Sequence, residues 1–122
     1  MKEKEFVNVV NDQYGCPTYA ADLANAIMQM IQALANNDTK NKIAGIYNYS
    51  NSGAISWYDF AAAIKALIHS NCPVNPIPTS GYPTPATRPQ YSVLDTAKIK
   101  STFNITIPAW KDSLQKCIAL LQ

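Results

Sequence analysis

Phe6-Val7-Asn8-Val9-Val10, followed by Asn11-Asp12-Gln13-Tyr14-Gly15-Cys16-Pro17-Thr18, is the stretch that decides how this chain folds. The first run is apolar and β-branched between polar neighbours, which predicts a strand. The second is a polar turn that runs into Pro17 and Thr18. Proline suits a first helical turn and threonine can cap free amides, so a helix is expected to open there. Leu23, Ile27, Ile31 and Leu34 then recur at helical spacing as one apolar stripe, and Asn36-Asn37-Asp38 is expected to stop the helix. Strand, polar turn and helix form the opening unit of an α/β chain.

Working outward, Ile46 to Tyr49 predicts a second strand, entered at Gly45. Ser56 with Asp59 three residues on is a variant of the capping box. Trp57, Phe60, Ala61, Ile64, Leu67 and Ile68 repeat behind it at three and four residues, a clear helix. Between Cys72 and Pro89 stand Pro73, Pro76, Pro78, Pro83, Pro85 and Pro89. They remove backbone donors and fix φ, leaving room for at most an edge strand near Val74 to Ile77. Asp95 can cap a short helix over Thr96 to Phe103. Pro108 begins the last helix, with Trp110, Leu114, Cys117, Ile118 and Leu121 as its apolar face. The class is α/β, one domain over residues 1–122, with few short strands and about four helices. Two or three strands make a thin sheet for so many apolar helix faces, as in part of a larger fold.

Composition narrows the function. The 122 residues are 48% hydrophobic, enough for a modest core, and only 15% charged, below the usual quarter or so. That shortage of charge suggests a surface normally covered. A net charge of +2 with scattered basic residues argues against nucleic acid and membrane surfaces as partners. The charged start Met1-Lys2-Glu3-Lys4-Glu5 has no long apolar run behind it, so neither a secretory signal nor a membrane span is expected and the chain reads as cytoplasmic. Cys16, Cys72 and Cys117 are odd in number and widely spaced, which fits reduced, buried thiols rather than a disulfide or zinc framework.

No catalytic set is visible. Gly15, Gly45, Gly53 and Gly81 are too dispersed for a dinucleotide-binding turn, and no tyrosine is followed by a lysine four residues later. His69 reads as a helix C-terminal or surface residue. Asn11 to Thr18 concentrates polar groups ahead of a helix N-terminus, where they either cap the helix or meet an anion. Asn48-Tyr49-Ser50-Asn51 reads as ordinary loop chemistry at a strand end. Trp57 and Trp110 are in phase with apolar stripes, so both are placed in the core rather than on a ligand platform. Tyr82 to Ser92 sets Arg88, the one arginine, in a stiff proline loop among hydroxyl-bearing residues. Arg88 there is either solvated or positioned for a phosphate or sugar.

These segments together resemble the dTDP-4-dehydrorhamnose reductase family of extended short-chain dehydrogenases. The matching strings are Val9 to Thr18, Ala44 to Asn48, Ser56 to Ala61, Pro78 to Pro89, Leu94-Asp95 and Ile107 to Trp110. The resemblance implies the C-terminal, substrate-binding portion of such a reductase, with the Rossmann half missing. The intact enzyme would reduce dTDP-4-dehydro-L-rhamnose with NADPH, on the way to dTDP-L-rhamnose. The missing half would bind NADPH and supply the catalytic Ser/Thr, Tyr and Lys. No catalytic or cofactor-binding residue is carried over, so this chain alone is expected to be inactive and to bind neither NADPH nor a metal. Arg88, Gln13 and Tyr91 are the expected substrate-binding residues. Two elements, the Ile46 to Asn48 strand and the Pro17 to Leu34 helix, are expected to complete the missing Rossmann sheet, and the orphaned surface to drive self-association. The alternative is a non-catalytic module like the regulatory subunits of methionine adenosyltransferase, which resemble these reductases.

Overall fold

The computed structural model describes residues 5–35 and 43–121. In chain order its elements are β1 (Val7–Val10), β2 (Tyr14–Gly15), α1 (Ala20–Ala35), β3 (Ile55–Ser56), α2 (Trp57–Leu67), β4 (Val74–Ile77), α3 (Ala97–Phe103) and α4 (Trp110–Leu121). The expected β1 and edge strand β4 pair in parallel, with Val7 opposite Val74 and Val10 opposite Ile77. Parallel neighbours require a long crossover, which α1 and α2 supply, and α2 packs across both strands. Pro76 is tolerated because the sheet has two strands and both are edges.

The capping box on α2 is complete. Ser56 Oγ accepts from Asp59 N at 3.1 Å, and Asp59 Oδ2 accepts from Ser56 N at 3.0 Å. At the other end His69 adopts φ 51°, and the amides of His69 and Ser70 donate to the carbonyls of Ala66 and Lys65. This is a Schellman closure with histidine where glycine is usual, and it leaves the imidazole exposed at the helix C-terminus. Asp95 caps α3 through its Oδ1, which accepts from Ala97 N at 2.8 Å.

Two apolar clusters form the interior. Ala26, Ile99, Ile105 and Ile107 join α1 to α3, with Met30, Tyr47, Tyr49 and Phe103 packed around them. On the other side α2 meets α4, where Phe60 and Trp110 make an edge-on ring pair at 6.1 Å. Gly53 (φ 110°) lies against Trp110, and a Cβ there would stand 2.6 Å from the indole Cδ1.

Several expectations are corrected. The helix α1 begins at Ala20, after Pro17 and Thr18, and the Tyr19 amide ahead of it is capped by Asn51 Oδ1 at 2.8 Å rather than by Thr18. Its buried positions are Asp22 and Ala26, whereas Ile27 is 46% and Ile31 52% exposed. The middle of the apolar stripe points outward because the helix turns Ala26 to Ile99, Ile105 and Ile107 and Asp22 to Asn51 and Ser113. The stretch Ile46 to Tyr49 has no strand partner among the described residues. Tyr47 and Tyr49 turn onto the core instead, and Ile46 is 85% exposed. Leu121 is also exposed, so the apolar face of α4 ends before it. Cys72 is buried, while Cys16 and Cys117 are partly so. The Asn36-Asn37-Asp38 stop lies outside the described residues.

Candidate ligand-binding cleft

One residue, Tyr14, joins two distant segments to its own through its backbone. It faces Ser56 in the antiparallel β2–β3 pair and bridges to Tyr91 on its other side. Its N–H donates to the Gln90 carbonyl at 2.7 Å, and its carbonyl accepts from Ser92 N at 2.8 Å and from Ser92 Oγ at 3.1 Å. Gly15 makes room for this, since a Cβ there would lie 3.1 Å from Ser92 Oγ. One step beyond the Tyr14–Ser56 pair, Gln13 and Trp57 come side by side.

The result is a cleft of about 390 Å³ lined by Gln13, Trp57, Arg88, Pro89 and Ser92. Arg88 also borders a second hollow of about 270 Å³, whose wall carries Thr79, Ser80, Tyr82, Thr84 and Thr87. The entrance to the proline loop is pinned by Asp12. Its carboxylate accepts from Thr79 N at 3.0 Å and from Thr79 Oγ1 at 2.7 Å. These bonds favour the ionised form and hold the Asp12 carboxyl below its ordinary value of 3.8. Since the Thr79 hydroxyl proton goes to Asp12, its lone pair receives Gln13 Nε2 at 3.1 Å, which fixes the direction of the amide. The loop from Ser80 to Ser92 is exposed throughout. Among the described residues, the guanidinium of Arg88 makes no hydrogen bond or ion pair.

Of the three residues expected at a site, the structure brings Gln13 and Arg88 into one cleft. Tyr91 has a 67% exposed side chain, and Pro89 and Ser92 rather than Tyr91 form the wall. Trp57, expected in the core, is 43% exposed and lines the cleft, whereas Trp110 is buried as expected. The helical phase of Trp57 with Phe60 and Ala61 hid this, because the first residue of a helix overhangs whatever precedes it.

A second polar cluster centres on Asn51, where ordinary loop chemistry was expected. Asn51 is 2% exposed, and its Nδ2 donates to Asp22 Oδ2 at 2.7 Å, to Ser113 Oγ at 2.9 Å and to the Pro108 carbonyl at 3.3 Å. Ser113 Oγ also donates to Asp22 Oδ2, and Cys16 Sγ to the Asn51 carbonyl. Burial raises the Cys16 thiol, and burial together with the Asp22 charge raises the Tyr49 phenol. This cluster holds segments together, and its members border two smaller hollows, one of about 90 Å³ beside Asn51 and Ser113 and one of about 200 Å³ beside Asp22 and Tyr49. Among the described residues no group of three or more His, Cys, Asp or Glu could hold a metal ion, and no helix is long and apolar enough to cross a membrane.

Fold and cleft define a sheet-poor α/β ligand-binding unit whose open polar wall is carried by a stiff loop. The chain belongs to the RmlD substrate binding domain family, whose model matches residues 1–122. It is 34% identical over 123 residues to the dTDP-4-dehydrorhamnose reductase of Salmonella typhimurium, covering 96% of this chain and 40% of that one. A solved dTDP-4-dehydrorhamnose reductase from Bacillus anthracis, in complex with NADP, superposes with TM-score 0.85 at 31% identity, over 98% of this chain and 40% of that chain. A solved dTDP-4-dehydrorhamnose reductase from Clostridium acetobutylicum gives TM-score 0.84 at 38% identity, over 99% of this chain and 40% of that chain. The chain thus spans about 40% of the length of the relatives it matches.

Proposed function

We propose that this chain is the sugar-nucleotide-binding part of a dTDP-4-dehydrorhamnose reductase. The intact enzyme uses NADPH to reduce the 4-keto group of dTDP-4-dehydro-L-rhamnose, giving dTDP-L-rhamnose. The observation that carries the reading is Arg88, held in a cleft wall with its planar donors uncommitted among the described residues. A diphosphate needs such donors, and a guanidinium keeps its charge at any working pH. Gln13 stands beside Arg88, and Tyr91, exposed next to Ser92 of the wall, is the third contact proposed. The relatives reported above are reductases, which favours the enzyme over the regulatory-subunit alternative.

The dinucleotide belongs elsewhere. Only Gly15 stands in the turn between β1 and α1, and Ser92 Oγ already occupies the space beside it. A pyrophosphate-binding turn needs closely spaced glycines. NADPH therefore supplies its hydride from a dinucleotide-binding half, and this chain's residues grip and orient the sugar nucleotide. The outward apolar face of α1, with Ile27, Met28 and Ile31 all about half exposed, is what that half would cover. In its absence a second copy of the chain would cover the same face.

The test is Arg88→Ala in the enzyme that joins this chain to its dinucleotide-binding half. KM for the dTDP-sugar should rise about tenfold or more, or roughly 1.5–3 kcal/mol for a charge-assisted hydrogen bond. KM for NADPH and the melting temperature should hardly move. An unchanged sugar-nucleotide KM would end the claim for Arg88.

A further inference from the structure

The two hollows that share Arg88 differ in chemistry. One contains an indole, a proline ring and the oriented Gln13 amide beside Ser92; the other is richer in hydroxyls, with Thr79, Ser80, Tyr82, Thr84 and Thr87 set around Pro83 and Ala86. A nucleoside diphosphate sugar has the same three-part layout: a flat heterocycle, a charged centre and a ring of hydroxyls. We propose that the indole of Trp57 is the platform on which the pyrimidine base stacks, with the diphosphate on Arg88 and the sugar in the hydroxyl-lined hollow. This rests on the sugar-nucleotide reading above and adds its base-recognition element.

Three observations carry the assignment. Trp57 is 43% exposed although it begins a helix whose next buried position is Ala61, so its ring lies on the surface at the cleft. The capping box and the Tyr14–Ser56 pair fix the backbone on its N-terminal side, so little freedom remains to be lost on binding. The amide of Gln13 spends one N–H on Thr79 Oγ1 and keeps its other N–H and its carbonyl oxygen. A thymine imide presents one N–H between two carbonyls, so the remaining donor and acceptor of Gln13 match it. A neutral sugar ring would use the indole less well and would leave that imide-like match unused.

The protein carries its own control, because its other tryptophan, Trp110, is buried. Tryptophan emission is followed while the chain is titrated with dTDP, thymidine or L-rhamnose, and dTDP binding is measured in parallel by calorimetry. Both dTDP and thymidine should quench the emission, and Trp57→Phe should abolish the quenching while keeping dTDP affinity within a few-fold. Trp57→Ala should weaken dTDP binding about tenfold, the usual effect of losing one stacked base. Should the alanine variant melt early, the phenylalanine variant and the thymidine titration still decide. Undiminished dTDP binding in a folded Trp57→Ala variant would overturn the assignment alone, as would quenching by rhamnose but not by thymidine. No calorimetric binding of dTDP to the unaltered chain would remove the sugar-nucleotide reading along with it.

Discussion

Asn51, Asp22 and Ser113 on one side, and Gln13, Arg88 and Ser92 on the other, are clusters of similar composition in opposite surroundings. In the first, every polar side chain is sunk in the protein and bonded to another member or to nearby backbone. In the second, side chains stand on exposed loops and the anchoring is done by the backbone of Tyr14 and by Thr79. Burial makes polar groups spend their hydrogen-bonding capacity internally, since an unmet donor or acceptor there is costly. Exposure leaves capacity over. The contrast separates a cluster that holds the fold from one that can hold a ligand.

Removing the centre of the buried cluster should have the largest effect. Asn51→Ala strips Asp22 of one donor and leaves the Tyr19 amide without its acceptor; at about 1–3 kcal/mol for each unmet group, more for the charged one, a loss of about 3–5 kcal/mol is expected in urea unfolding. A loss below about 1 kcal/mol would erase the distinction between the clusters, because Arg88→Ala should itself stay within roughly 0.5 kcal/mol. Gly53→Ala sharpens the same side. It forces a left-handed φ on a residue with a Cβ and drives that Cβ into Trp110, for about 2–4 kcal/mol in the same assay.

The smallest effect belongs to the open cluster and is read by pH. The folded state holds the Asp12 carboxyl below its ordinary value of 3.8, so its clamp on Thr79 is fully present above that value. It is lost as pH falls through the lower folded value. The Thr79 amide resonance should therefore move in that acid window, and Asp12→Asn should abolish the movement. Global unfolding in the same step would show that the loop and the interior are one unit.

Much of the frame was legible in the sequence because it rests on local rules. The β1 run, the Ser56–Asp59 box, the proline-limited β4 and the Asp95 cap each need only neighbouring residues. The two-residue β2–β3 pair was not, since two residues carry no period. The stripe of α1 showed that the helix has an apolar face but not whether anything in this chain meets it. Arg88 stood out as the one arginine in a stiff loop, and Gln13 through its motif. Trp57 was hidden by being in phase with a true core face. Asn51 was hidden because its partners Asp22 and Ser113 are 29 and 62 residues away.

The Asn51 cluster also has a temporal consequence. It ties the Tyr19–Asp22 start of α1, the Asn51–Ser52 segment and the Pro108–Ser113 start of α4 into one knot, reinforced by Ser52 N to the Pro108 carbonyl at 3.0 Å and Trp110 N to the Ser52 carbonyl at 3.1 Å. Amide protons tied there, those of Tyr19, Ser52 and Trp110, are expected to be a slow clock of the molecule in hydrogen exchange, because freeing each one parts distant segments. Among the described residues the loop carrying Arg88 makes no hydrogen bond to the knot and is anchored only through Thr79 and Tyr14, so its own amides are expected to keep a fast clock.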